Sequence, residues 1–222
     1  MTPQPHRATR IRRLSRSELP EATIALARFL IGKVVVRELP SGRLSGRIVE
    51  TEAYPPRDPA AHHFRGETPR TRSMFLDRGH AYVYFTYGNH FMLNVSSEPP
   101  GVGGGVLIRA LEPIDGIEHM HRHRATPRLL DLTRGPGRLA SAFLIDRKLD
   151  GVDLCAPGPL WLGEQIRRPT AEVRKLTVLA RKTTHMRIGK SIRIGITRAA
   201  HRLLRFYERG NPFVSGPTRL RS

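Results

Sequence analysis

The segment Gly42-Arg43-Leu44-Ser45-Gly46-Arg47-Ile48-Val49-Glu50-Thr51-Glu52-Ala53-Tyr54 decides how this chain folds. Turn residues at its start and β-branched residues after them predict a strand arriving from a hairpin. Strict alternation puts Ile48 and Glu50 on one face, Val49 and Thr51 on the other, and leaves Glu52 near the strand end. A second β-rich pair, Ala81 to Thr86 and Phe91 to Ser96, brackets Tyr87-Gly88-Asn89, where Gly88 and Asn89 tolerate positive φ. This predicts a two-stranded hairpin with Tyr87 at its tip.

Residues 1 to 13, with Pro3, Pro5, Arg7, Arg10, Arg12 and Arg13, read as a mobile basic arm, and residues 14 to 222 as one domain. Ser17 is the expected N-cap of a helix ending near Gly32, with Ile24, Ala27, Phe29, Leu30 and Ile31 at helical spacing. Residues 55 to 73 carry prolines, histidines and arginines without periodicity, which predicts a long ordered loop of the kind that lines a site. Val106 to Leu111 is a further strand and Gly116 to Arg124 a helix. Arg134 to Leu139 reads as a break before the helical stretch Ala140 to Ile145, and strand-like segments follow Gly151. No internal repeat or linker divides the chain.

The 38 Lys and Arg against 19 Asp and Glu give a formal charge of +19, so the surface attracts polyanions in a salt-dependent way. Nucleic acid is the partner this favours, although only five of the 38 are lysines and an arginine excess also follows codon usage. Cys155 is alone in the sequence, which removes an intramolecular disulfide and a CxxC metal knuckle and fits a reducing, cytoplasmic setting. No apolar run approaches the roughly 20 residues that span a bilayer, and no apolar signal core follows the basic N-terminus, so no membrane association is expected.

Several segments occur together and in one order: Arg47 to Tyr54, Ala60-Ala61-His62, Thr68-Pro69-Arg70, Tyr82-Val83-Tyr84 through Asn94, Leu107 to Pro113, Arg134-Gly135-Pro136, and Arg205 to Gly210. Together they resemble the alkyladenine DNA glycosylases, also called 3-methyladenine or methylpurine DNA glycosylases, over roughly residues 17 to 216. The resemblance implies an α+β fold, a single domain with a curved antiparallel β-sheet flanked by helices and a protruding β-hairpin that enters the DNA minor groove. It also implies a monomer, located in the cytoplasm with the nucleoid, that acts on double-stranded DNA containing damaged purines.

Cutting an N-glycosidic bond builds oxocarbenium character on the sugar, so the site needs a carboxylate that activates water and faces that charge. From the residues alone Glu50 and Glu52 compete for this role, and either could be a strand-end glutamate in a surface ion pair. The resemblance assigns the acid to Glu52 and makes Glu50 structural. A base inside a duplex must be extruded and held by stacking. Tyr54, His62 and Tyr84 match the family's stacking residues, although Tyr82 and Tyr84, alternating on one strand, would serve equally as core. Tyr87 matches the residue wedged into the gap left by the flipped nucleotide; the plainer alternative folds it back on its own hairpin.

By the same resemblance Asn94 clashes with the guanine amino group, Arg109 positions water and sugar phosphate, Arg70 and Met74 contact DNA, and the carbonyl of Ile196 completes the water site. Singly, each arginine reads as a solvated surface residue and Asn94 as a satisfied strand residue. His90 stands where vertebrate members carry tyrosine, and the loops after Tyr54 and from Glu98 to Gly105 differ in length, which bears on substrate range. No lysine lies near these motifs, so water rather than a Schiff-base amine is the expected nucleophile, without lyase activity. Glu52, His62 and His63 lack a metal-site spacing, so neither metal nor cofactor is expected.

The expected activity is release of purines of the 3-methyladenine, 7-methylguanine, hypoxanthine and ethenoadenine class, leaving an abasic site. Two alternatives stand beside it. A non-catalytic basic nucleic-acid-binding protein shares the charge but needs no acid among aromatic residues; a nucleoside hydrolase needs neither Tyr87 nor the basic surface.

Overall fold

Alternation in Val34-Val35-Val36 sends Val35 into the main core and lays Val34 and Val36 on Trp161, as the two-residue period of a strand requires. A computed structural model describes residues 10–86, 88, 90–166 and 187–220. Its elements run β1 (Ile11–Arg13), α1 (Thr23–Leu30), β2 (Val34–Leu39), β3 (Gly42–Tyr54), β4 (Ala81–Thr86), β5 (His90–Ser96) and β6 (Gly105–Asp115). Next come α2 (Ile117–Arg124), α3 (Leu130–Thr133), α4 (Pro136–Ala142), β7 (Leu160–Gln165), β8 (Ile188–Ser191) and β9 (Arg205–Glu208).

The strands form one sheet in the order β1-β7-β2-β3-β6-β5-β4, all neighbours antiparallel, with β9 paired to β3 and β8 to β9. The fold is thus a mixed α+β single domain with a large antiparallel sheet and few helices. The 13-residue β3 is its organising strand. One edge pairs with β6 along most of its length; the other pairs with β2 up to Arg47 and with β9 from Glu50 to Glu52. α1 lies on one face, where the Thr51 hydroxyl donates to the Ala27 carbonyl at 2.9 Å and Leu26, Ala27 and Leu30 are fully buried.

Several elements differ from the sequence reading. Ser15, not Ser17, caps a one-turn 3-10 helix in a reciprocal capping box with Glu18, and α1 starts at Thr23, where Glu98 accepts from the Thr23 amide at 2.9 Å. Pro20 falls in the extended stretch between them, and a carboxylate from a distant loop is invisible to local sequence rules. The expected break at Arg134 to Leu139 is instead the start of α4: Gly135 turns the chain at φ 127°, and Pro136 at the first helical position supplies a preset φ. The helix then ends earlier than expected, at Ala142. Ile11–Arg13, read as the end of the basic arm, pair with β7; residues 1–9 lie outside the described residues. Among the described residues no helix is long and apolar enough to cross a membrane.

Candidate active site

Two β-bulges shape the site. Ile48 pairs with Leu111 and Glu50 with Ala110, which leaves Val49 as an extra residue in β3; Thr51 then pairs with Ile108, which leaves Arg109 as an extra residue in β6. Each bulge resets the alternation. Ile48 and Ala53 therefore pack in the main core, while Val49 joins a second core with Ala110, Tyr207, Phe213 and Val214. The expectation that Ile48 and Glu50 share a face is wrong for this reason. The bulges leave Glu50, Glu52 and Arg109 in one charged cluster.

The two carboxylates of that cluster have opposite environments. Glu50, fully buried, accepts from Arg205 Nε at 2.6 Å, Arg109 Nε at 3.0 Å, and the amide and hydroxyl of Ser215 at 2.6 and 3.0 Å. Burial opposes its charge, but Arg109 and Arg205 outweigh burial and hold its carboxyl below the usual carboxylate range. Glu52, equally buried, accepts from the Ile194 amide at 2.7 Å, from Tyr54 Oη at 2.9 Å, and pairs with Arg109 Nη1 at 3.2 Å. For Glu52 burial prevails over these partners, with the Glu50 charge adding to it, and the carboxyl is pushed above its usual range. Environments that drive two neighbouring acids apart separate a structural carboxylate from a proton-transferring one.

Glu52 is fully buried and does not itself line a cavity, but its partners Tyr54, Arg109 and Ile194 border a pocket of about 410 Å³, within the size range of small-molecule sites. Tyr54, His62, Met74, Tyr84, Asn94, Arg109 and Ile196 all line it, so residues scattered over more than half the sequence converge on one pocket. Tyr84 and His62 pack edge to face at a centroid distance of 4.5 Å and an interplanar angle of 77°. His62 Nδ1 and the Tyr82 hydroxyl are hydrogen-bonded at 3.0 Å, which fixes the ring at the pocket mouth. Asn94 Nδ2 donates to the Tyr82 carbonyl at 3.2 Å, which holds its carboxamide in the pocket wall.

Arg70 is exposed at the rim with its guanidinium 5.9 Å from the Tyr84 ring centre. Tyr87 lies outside the described residues; Gly88 beside it has φ 71°, as the turn requires. Among the described residues no three His, Cys, Asp or Glu side chains converge as a metal site would need.

Sequence reasoning missed the Ile194 amide as a partner of Glu52, the role of Tyr82 in fixing His62, and Arg193, buried behind Tyr54. Only Tyr82 had a signal, its alternation with Tyr84; a main-chain donor leaves none. Met92 and Leu107 also line the pocket, and cross-strand pairing brings them beside Tyr84 and Asn94 respectively.

Comparison with known proteins agrees with the geometry. The family described as methylpurine-DNA glycosylase matches residues 17–212. A protein of Mesorhizobium japonicum provisionally named 3-methyladenine DNA glycosylase is 62% identical over 207 residues, 93% of this chain and 92% of that protein. The DNA-3-methyladenine glycosylase of Homo sapiens is 39% identical over 236 residues, 96% of this chain and 74% of the human protein.

Proposed function

The chain belongs to the methylpurine-DNA glycosylase family, and from that premise we propose that Glu52 is the carboxylate that activates its water. The enzyme is a DNA-3-methyladenine glycosylase, a monofunctional DNA N-glycosylase that acts on damaged DNA in base excision repair. A carboxylate offers about four lone-pair sites. Ile194, Arg109 and Tyr54 occupy three around Glu52, and the fourth is the one the reacting water takes in this reading. Water adds to the sugar anomeric carbon as the glycosidic bond breaks, its proton passes to Glu52, and the bonding electrons leave with the base. The ionised Glu52 also faces the oxocarbenium charge as it develops.

The remaining residues take the roles that the pocket supports. Tyr54, His62 and Tyr84 stack on the extruded purine, and electron-rich rings favour electron-poor alkylated bases. Asn94, held by the Tyr82 carbonyl, obstructs the amino group of normal guanine. Arg109 and the Ile196 carbonyl position water and sugar phosphate, and Arg70 and Met74 contact the strand. The β4–β5 hairpin enters the minor groove with Tyr87 as the wedge. The substrate range takes in alkylated, deaminated and etheno purines, and the enzyme works as a monomer at the nucleoid.

The observation that carries this reading is a fully buried carboxylate, raised above its usual range, behind an aromatic pocket on a protein of charge +19. The test is abasic-site formation in duplexes bearing single hypoxanthine, ethenoadenine or 7-methylguanine lesions, under chelator, with wild type and Glu52→Gln. Release by wild type alone supports it. Equal release by both removes Glu52 from the chemistry.

A further inference from the structure

Arg193 follows β8 and is buried among groups that belong to the site without lining it. Its side chain is fully enclosed and pairs with the equally enclosed Asp58, Nη1 to Oδ2 at 2.8 Å and Nη2 to Oδ1 at 3.1 Å. Nη1 also donates to the Ala53 carbonyl at 3.0 Å, one residue from Glu52. The guanidinium lies 4.6 Å from the centre of the Tyr54 ring. The residue after it, Ile194, gives its amide to Glu52, and Ile194, Gly195 and Ile196 all border the pocket.

Asp58 is itself anchored. Its Oδ1 accepts from the Ala60 amide at 2.9 Å, and Oδ2 accepts from Arg202 at 3.1 Å. The end of β3 and the loop after it therefore meet the loop leaving β8 on one guanidinium, although Ala53 and Asp58 lie 140 and 135 residues from Arg193 in sequence. Arg193 Nε is buried with no hydrogen-bond partner among the described residues, a loss tolerated although a fully satisfied buried guanidinium is the rule. Satisfying every donor has yielded to placing the guanidinium over Tyr54.

We propose that Arg193 is a positioning residue, a clasp through which Asp58 fixes both the base-stacking ring of Tyr54 and the amide that Ile194 gives to Glu52. The proposal rests on the roles given above to Tyr54 and Glu52. A planar fork that binds two oxygens of one carboxylate while stacking on a ring is work a lysine does poorly. The groups facing Glu52 are Glu50 and Tyr54 from β3, Arg109 from β6 and the Ile194 amide, with Arg205 of β9 held on Glu50. Of these, the Tyr54 hydroxyl and the Ile194 amide are the two that the clasp holds.

The test measures single-turnover release of hypoxanthine from a duplex oligonucleotide across pH, with thermal melting in parallel, for wild type, Arg193→Met, Arg193→Lys, Asp58→Asn and Glu52→Gln. Arg193→Met is expected to slow release by roughly 10- to 100-fold, the range for a misplaced catalytic group. Its acid limb is expected to move to higher pH, because a donor that favours ionised Glu52 is displaced. Arg193→Lys recovers part of the rate, and Asp58→Asn changes both readouts in the same direction by less. Arg193→Met that melts lower but keeps the wild-type rate and acid limb overturns the clasp, and if it does not fold, Asp58→Asn with an unmoved acid limb does so. Glu52→Gln with wild-type activity would instead overturn the assignment of Glu52, and the clasp with it.

Discussion

The Tyr54 hydroxyl donates to Glu52 Oε2 at 2.9 Å, so the ring that lines the pocket and the carboxylate two residues before it form one hydrogen-bonded unit. The bond favours the ionised acid and opposes burial, which pushes Glu52 up. With Glu52 as the proposed base, activity requires the ionised form and is expected to be lost as pH falls through the raised pKa of Glu52. Tyr54→Phe keeps the ring but removes the donor. The expected result is an acid limb displaced to higher pH with near-normal lesion affinity and, above the limb, a rate within roughly 5-fold of wild type, about the worth of one hydrogen bond. Single-turnover pH profiles check it, and an acid limb unmoved or displaced downward contradicts it.

Glu50 and Glu52 should part company in stability as they do in pKa. The folded pKa of Glu50 lies below its ordinary 4.5, so its contribution is present above that value and drains as pH falls through the lower folded one. For Glu52 the sign reverses: a raised folded pKa contributes stability at low pH that is lost as pH rises through it. Glu50→Gln is expected to cost about 3–5 kcal/mol at neutral pH, because Arg109 and Arg205 lose a buried counter-charge. Glu52→Gln is expected to leave stability equal or higher while abolishing excision. Urea denaturation of both at pH 7 decides it; the reverse order would refute the division of roles.

These two acids also mark how far the sequence reads. That a strand from Gly42 carries the acids, and that a hairpin follows, is legible because strand period and turn chemistry are local. Which side Glu50 faces is not, because Val49 and Arg109 are bulge residues, and a bulge depends on the partner strand rather than on its own neighbours. The pocket residues were located through the order of motifs, not through periodicity; Tyr84 alone is indistinguishable from core. The start of α1 was missed because its amide is met by Glu98, far along the chain, and the start of α4 because the run with Gly135 and Gly137 outweighed Pro136.

Gly137 on α4 faces His90, which pairs with Thr86 at the turn end of the hairpin: a Cβ added there would stand 2.8 Å from His90 Cγ and 3.1 Å from its Cβ. The His90 Cβ is fixed to the backbone of β5 and moves only with it, whatever rotamer the ring takes. Gly137→Ala should therefore cost about 1–3 kcal/mol and shift the hairpin against α4. Adding His90→Ala should restore most of the loss, since the three atoms nearest the added Cβ all belong to the His90 side chain. Thermal melts of the two single variants and the double variant form the cycle; purely additive effects would mean that the contact is not what excludes a side chain at 137.

The hairpin strands are braced independently of their tip. Phe85 and Phe91 pair across them with ring centres 5.0 Å apart, and Arg147 donates to the Val83 carbonyl at 3.1 Å. Removing Tyr87 should thus leave the fold intact and expose only its role toward DNA. A wedge fills the gap that base extrusion opens in a stacked duplex, and a single strand has no such gap to fill. Tyr87→Ala is therefore expected to lower hypoxanthine release from duplex by at least roughly 10-fold, the worth of one stacked base, and from a single strand by much less. Parallel single-turnover assays on the two substrates give the ratio, and equal losses on both would place Tyr87 outside base extrusion.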